Sequence, residues 1–377
     1  MKESDLSMSN TLFPLGGPVA EDDIVDREDF LNSIQTRLAD GQSIMLTGPR
    51  RIGKTSLALE TLRKLKKHGF YVASVDFFRV STKQELATAI IDACLENRTG
   101  IHRTMDALKG GIKSVTSATK LAMKLKGLEF SLNLPDKNTS DDMLLSYALD
   151  LPEKLAVVDK KQTIVVFDEF QDAARIVGDD VFKLMRSHFQ LHTKANYLFL
   201  GSKEGIMNTI FAGPDQAFYR FATILPLPPI SPLAWTTYIK RKFEDQGIKC
   251  KDQVIHDIIK ISGGHPQDTM LICSETYYLL LETGEKTLTF DSVHLGTNRA
   301  LASLTPVFDG ILDELGAAKR ILKRIIQKQS IYEQGTHPTE IKRRVDRLIN
   351  KGIIEKTDRG AYVFVEPMLK EYLQKEY

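Results

Sequence analysis

Two short stretches hold residue types that can do chemistry at a spacing that makes sense of them. The first is GPRRIGKT, residues 48–55, which fits G-x-x-x-x-G-K-T, the pattern of a loop that cradles phosphates. Gly48 and Gly53 permit backbone angles that a side chain would forbid. The N–H groups of such a loop converge on an anion. Lys54 supplies a point charge for β and γ phosphates. Thr55 offers a hydroxyl to Mg2+, a cation that keeps several waters and takes few protein ligands. The second stretch is IVVFDEF, in which Asp168 and Glu169 follow an apolar run. Asp168 there suits a metal, held through its water, and Glu169 suits orienting and deprotonating an attacking water. Each motif also has a plainer reading. The loop pattern can occur in any glycine-bearing turn, and two acids sit well in the first turn of a helix. Together the two favour nucleotide chemistry, because their roles fit one another.

These residues need elements to position them. Ile44, Met45, Leu46 and Thr47 form a short run suited to a buried parallel strand. Leu57, Ala58, Leu59, Leu62 and Leu65 fall on one face of a helix after the loop. The helix start near Lys54 adds unpaired N–H groups and a positive dipole end. Residues 164–167 are a fully apolar strand ending at the acid pair. A strand over 70–78, expected beside the first, ends at Asp76, which is read as a strand-end cap with a catalytic role as the alternative. Residues 196–201 make a further buried strand, followed by Ser202. That serine either senses a γ-phosphate or caps a helix. Arg220 lies in a helix-to-strand passage, where it either stabilises transition-state charge or joins a surface ion pair.

Ahead of the first strand, Pro14, Gly16, Gly17 and Pro18 mark a loop. Asp26 is expected to cap a helix carrying Phe30, Leu31, Ile34 and Leu38 inward. Val19, Ile24 and Val25 read equally as packing residues and as one wall of an adenine pocket. Helices are expected at 82–95, 141–158 and 181–192. Residues 97–140 form an insertion of uncertain structure, with a basic stretch at 109–126 and an alternating strand at 127–134. A solvated insertion suits the basic stretch better than a membrane-surface helix, because its apolar face is thin.

Four prolines in residues 225–232 place a domain boundary there. The expected domains are a core over 1–228, a helical lid over 229–305 and a C-terminal module over 306–377. The lid has helices at 233–246, 254–262 and 267–282. SGGHPQ precedes the last of these, with Pro266 suited to a first helical turn. His265 is either structural or a nucleotide contact. The C-terminal module opens with an amphipathic helix over 315–326. A basic helix over 338–350 and two strands, 353–356 and 361–365, follow it. This order resembles a winged helix, although residues 330–337 are short for a middle helix. Lys342, Arg343, Arg344, Arg347 and Lys351 suit DNA, a protein partner or a solvated face.

Composition narrows the field. The 377 residues exceed one typical domain, and the net charge of +2 does not by itself point to nucleic acid or a membrane. Cys94, Cys250 and Cys273 are widely spaced, which argues against a zinc site or disulfide framework. No apolar run approaches the roughly 18 residues of a membrane helix, and a cytoplasmic location is the expectation.

Taken together, GPVAEDDIVDRE, GPRRIGKTS, IVVFDEFQ, LFLGS, FYRFATILPL, SGGHP and LINKGIIEKTDRGAYVFVEP make the chain resemble the archaeal-type ATPases of the signal-transducing NTPase (STAND) branch, related to AAA+ and origin-recognition ATPases. The resemblance implies a three-layer α/β P-loop NTPase core, a small helical lid and a winged-helix domain. It implies ATP and Mg2+ as ligands. The phosphates would lie among Gly48, Pro49, Arg50, Arg51, Ile52, Gly53, Lys54, Thr55 and Ser56. Thr55 and Asp168 would serve the metal, Glu169 the water, and Ser202 and Arg220 the sensing positions. Val19, Ile24, His265 and Pro266 would lie near the base. So would Arg27, in a motif that usually reads Gly-Arg where this chain has Asp26 and Arg27. The expected function is a slow or partner-stimulated ATPase acting as a molecular switch on a C-terminal partner-binding module. ATP-dependent oligomers are part of that expectation, with Arg220 acting in cis or in trans. The alternative is a DNA-binding regulator or adaptor in which nucleotide is mainly structural.

Overall fold

A computed structural model describes residues 11–97, 140–178, 180–332, 337–358 and 361–376. The basic stretch at 109–126 and the strand at 127–134 lie outside these residues. The chain folds into two compact units. One comprises residues 28–47 and 57–226. The other comprises residues 48–56, the described residues up to Arg27, and those from Leu227 onward.

The first unit is an α/β layer structure. Its strands are β1 (Ile44–Thr47), β2 (Tyr71–Asp76), β3 (Thr163–Asp168), β4 (Ala195–Leu200) and β5 (Thr223–Pro226). They form a parallel sheet in the order β2-β3-β4-β1-β5. The expectation that β2 lies beside β1 is wrong, since β3 and β4 separate them. Burial explains the order. β4 is buried throughout and β3 in all but its last residue, as strands covered on both faces must be. β2 exposes Ser74 and only half-buries its ends, and β5 is mostly exposed and ends in proline, so both suit an edge.

Helices α1 (Glu28–Ala39), α2 (Lys54–Lys67), α3 (Lys83–Leu95), α4 (Asp141–Asp159), α5 (Ala173–Val177), α6 (Val181–Phe189) and α7 (Glu204–Ala212) connect the strands. α6 stops three residues short of the expected 192. The carboxylate of Glu153 accepts from the N–H groups of Thr193, Lys194 and Ala195 at 3.0, 2.8 and 2.8 Å, which holds that backbone in a turn leading into β4. The core is rich in stacked rings. Phe170 lies 4.7 Å from Phe199 and 5.3 Å from Phe218, centroid to centroid. Phe170 directly follows the acid pair, so this packing fixes where the pair emerges.

The second unit is mostly helical. It contains α8 (Pro232–Glu244), α9 (Asp252–Ser262), α10 (Pro266–Thr283), α11 (Phe290–Leu315), α12 (Lys319–Ile326), α13 (Pro338–Asn350) and α14 (Pro367–Glu376), with the antiparallel hairpin β6 (Ile354–Asp358) and β7 (Ala361–Phe364). The expected division at 305/306 falls inside α11. The single helix expected over 315–326 is broken. Gly316 takes φ +53°, a 3-10 turn follows, and α12 starts at Lys319. α13 matches its expected span, burying Ile341, Val345 and Leu348 and half-burying Ile349. Phe13 from the N-terminal arm packs on Phe243 at 5.1 Å. Asp23 is held on α8 by the hydroxyl of Tyr238 and the ammonium of Lys242, both at 2.6 Å. No helix among the described residues is long and apolar enough to cross a membrane.

Candidate nucleotide site

The glycine-bounded loop follows β1 without a break. Gly48 has φ +153° and Gly53 φ +99°. A Cβ on Gly48 would stand 3.2 Å from Ile52 Cγ2, so the backbone conformation disfavours a side chain here and the space for one is tight. Arg51 also lies in the left-handed region, at φ +62°. A non-glycine residue held there is strained, and such strain concentrates at working sites. Lys54, only 8% exposed, donates from Nζ to the carbonyls of Gly48 and Pro49 at 2.6 and 2.7 Å. Its stem packs under the loop and its charge stays at the turn. Arg50, Arg51, Lys54 and the loop's N–H groups form a cationic donor set, with the Thr55 hydroxyl at the helix start. That chemistry fits a polyphosphate.

The same unit brings other expected residues to the loop. Val19 N–H donates to Ser56 Oγ at 3.1 Å. Val19 and Ile24 remain half-buried, whereas Val25 is absorbed into the helical core. Asp26, expected to cap α1, accepts from the N–H of Ser231 at 2.9 Å, a bond that holds its carboxyl below the usual range. Arg27 is 4% exposed, and both terminal guanidinium nitrogens are buried without a hydrogen-bond partner. Burial pushes its pKa down, opposed by Asp26. Pro266 occupies the first turn of α10, as its position predicts. His265 meets the Arg50 carbonyl through Nε2 at 3.0 Å, while its Nδ1 is buried without a hydrogen bond, 3.8 Å from Asp268. Burial pushes the Asp268 carboxyl up, against the opposing effects of His265 and the Met368 N–H. The two orphaned guanidinium nitrogens of Arg27 are donors that fit a ligand rich in acceptors, as a nucleotide is, whereas His265 Nδ1 is an acceptor once Nε2 donates to the Arg50 carbonyl.

The acid pair belongs to the α/β unit. Asp168 ends β3 at the same carboxyl edge at which Thr47 ends β1. Glu169 follows in the left-handed region, φ +51° and ψ +41°, and its N–H donates to Asp168 Oδ1 at 2.9 Å. Glu169 Oε2 accepts from Ser202 Oγ at 2.7 Å, from Ser202 N at 3.3 Å and from Gln171 Nε2. Ser202 therefore serves the acid and does not cap a helix. Lys203 is the residue at the start of α7, and it makes no side-chain cap. Sequence reasoning missed Gln171. Its signal was an amide two residues past the acid, in the 3-10 turn Phe170–Asp172. Asp76 caps the turn after β2, accepting from Phe78 N at 2.9 Å, as the cap reading expects. Arg220 is exposed, at φ +56°, with its guanidinium 5.4 Å from the Tyr219 ring centroid.

A polyphosphate-binding turn leaving one strand of a parallel sheet, and acids leaving another at the same edge, is the plan of a P-loop ATPase. The chain belongs to the family of ATPase domains found predominantly in Archaea, whose profile matches residues 24–270. It is an ATP-hydrolysing enzyme with a P-loop α/β core. Its fold is similar to that of the Walker-type ATPase PABY2304 of Pyrococcus abyssi, with TM-score 0.69 and 18% identity over 96% of this chain and 99% of that one. It is also similar to the ORC2 protein of Aeropyrum pernix in its ADPNP–ADP complexes, with TM-score 0.58 and 15% identity over 97% of both chains. The Aeropyrum pernix ORC1 protein in complex with DNA matches with TM-score 0.51 and 13% identity, over 96% of this chain and 94% of that one. No curated protein matches the chain in sequence.

Proposed function

We propose that the protein is a Mg2+-dependent ATP switch of the STAND type. In this reading residues 1–228 form the ATPase core, the helices from 229 to the end of α11 a lid, and the residues from Gly316 onward a winged-helix module that engages a protein partner. Gly48 to Ser56 hold the triphosphate, with Lys54 on its β and γ groups. Val19, Ile24, Arg27, His265 and Pro266 take the base end. Thr55 and Asp168 hold Mg2+, which supplies charge neutralisation on the phosphates. Glu169 accepts the proton of the attacking water, Ser202 fixes that acid, and Arg220 answers to nucleotide state.

One observation carries the switch: the phosphate loop is tied to later segments of its own unit, and through Arg51 to the C-terminal module. Arg51 pairs with Glu366, just before α14, at 3.3 Å, and the Arg50 carbonyl bonds His265 at the start of α10. A phosphate drawing on Arg51 competes with Glu366 for the same charge. This supports a C-terminal module whose attachment depends on what the loop holds. A protein partner suits the module better than DNA, because three of the five basic residues around α13 are already engaged. Arg344 pairs with Glu340, Lys351 pairs with Glu314, and Arg347 donates to the Glu314 carbonyl at 2.7 Å.

The test is hydrogen exchange of α14 and the hairpin with Mg-ATP and with Mg-ADP, on wild type and Glu169→Gln. The expected result is a nucleotide-dependent difference that persists with ATP in Glu169→Gln, which binds but does not turn over. Identical exchange in every state would remove the switch. A wild-type hydrolysis rate in Glu169→Gln would remove the base.

A further inference from the structure

We infer that Gln171 is a positioning residue that orients the Glu169 carboxylate for catalysis. The inference rests on the reading of Glu169 as the base. The three donors on this carboxylate all fall on one oxygen: Gln171 Nε2, Ser202 Oγ and Ser202 N all reach Oε2. A carboxylate oxygen has two lone-pair directions in its plane, so Oε2 has none left for a water proton. Oε1 lies outside this network and is the proton acceptor. Two fixed directions, one from the turn after β3 and one from the end of β4, define the carboxylate plane.

The amide is built in rather than filling space. Gln171 is 7% exposed, and its own carbonyl oxygen is buried without a partner. A leucine would fill the same volume without that orphaned acceptor, so packing alone does not account for an amide here. Its neighbour is shaped around it. A Cβ on Gly201 would stand 2.4 Å from the Gln171 amide oxygen and 2.5 Å from Met207 Cγ. Gly201 thus makes room for the amide, and the next residue supplies the two other donors to the same acid. The backbone agrees. Glu169 is held left-handed between Asp168, which accepts its N–H, and Phe170, which is locked in the ring cluster. The side chain can then be aimed only by what binds its oxygens.

The experiment is single-turnover hydrolysis of Mg-ATP by Gln171→Leu, Glu169→Gln and the double variant, with ATP affinity measured alongside. Gln171→Leu is expected to lower the hydrolysis rate at least tenfold with ATP affinity unchanged within twofold, since misplacing a catalytic group costs rate rather than binding. In the Glu169→Gln background the same substitution is expected to cost nothing further, because there is no base left to aim. A structural role would lower the rate equally in both backgrounds, and that result would overturn the inference. So would a Gln171→Leu rate within twofold of wild type. If Gln171→Leu does not fold, Gln171→Met replaces it with an unbranched side chain of similar length that lacks the donor. The base reading fails separately, through an active Glu169→Gln, and takes this inference with it. Loss of activity in Glu169→Gln beside an unaffected Gln171→Leu rejects the inference alone.

Discussion

Replacing Lys54 with methionine isolates what its charge does. The stem stays, since Lys54 is buried and methionine keeps its length and apolar body. The ammonium goes, and with it the bonds to the Gly48 and Pro49 carbonyls. A hydrogen bond to a charged group contributes about 1.5–3 kcal/mol, which is roughly a 10- to 150-fold change in affinity. The loss must follow the phosphates that the lysine reaches. Titration calorimetry should show ATP affinity falling by that factor and AMP affinity unchanged. Loop carbonyls left without their donor should also lower stability by about 1 kcal/mol, read as a lower midpoint in urea without a change of slope. ATP affinity within twofold of wild type would refute the placement of Lys54 on the phosphates. An equal loss for AMP would show that the loop had collapsed rather than lost a charge.

Other consequences lie in the scaffold and at the C-terminal module. Burial alone would raise the Glu153 carboxyl, but the N–H groups of Thr193, Lys194 and Ala195 and the Thr193 hydroxyl outweigh it and hold it below its ordinary value. Its stabilising effect is therefore present above a pH of about 4.3 and is lost as pH falls through the lower folded value. Glu153→Gln should cost about 1–2 kcal/mol near neutral pH, allowing for solvent screening, and the difference from wild type should shrink in an acid denaturation series as pH falls from about 4.3 through the lower folded value. Phe170→Ala removes the ring that anchors the acid pair. It should cost about 3–5 kcal/mol in chemical denaturation, and a loss under 1 kcal/mol would contradict the tight ring packing. Duplex DNA should show at most weak, steeply salt-dependent binding through exposed Lys342 and Arg343. Tight binding that survives raised salt would favour the DNA reading over a protein partner.

The parts of this molecule that local chemistry dictates were legible in the sequence. Short apolar runs rich in β-branched and aromatic residues suit covered strands, which located β3 and β4 and, at the end of β3, the acids. Proline at position 338 and the spacing of Ile341, Val345 and Leu348 marked α13 from start to finish. Strand order was not legible, because adjacency in sequence says nothing about which strand is apolar enough for the centre. The break at Gly316 was hidden for a similar reason: the apolar spacing continues across a residue whose backbone does not. Gln171 and the role of Ser202 depend on two segments meeting at one oxygen. The amide is 31 residues from the serine in the chain, and no local pattern joins them.

The account stands on a triphosphate seated in the turn after β1 with its metal served by Thr55 and Asp168. A crystal structure with Mg2+ and a non-hydrolysable ATP analogue tests this directly. The account predicts β and γ phosphates within hydrogen-bonding distance of Lys54 and the loop's N–H groups, with the metal bound by the Thr55 hydroxyl and by a water held on Asp168. Nucleotide density elsewhere on the chain, or a metal with neither residue near it, would contradict it.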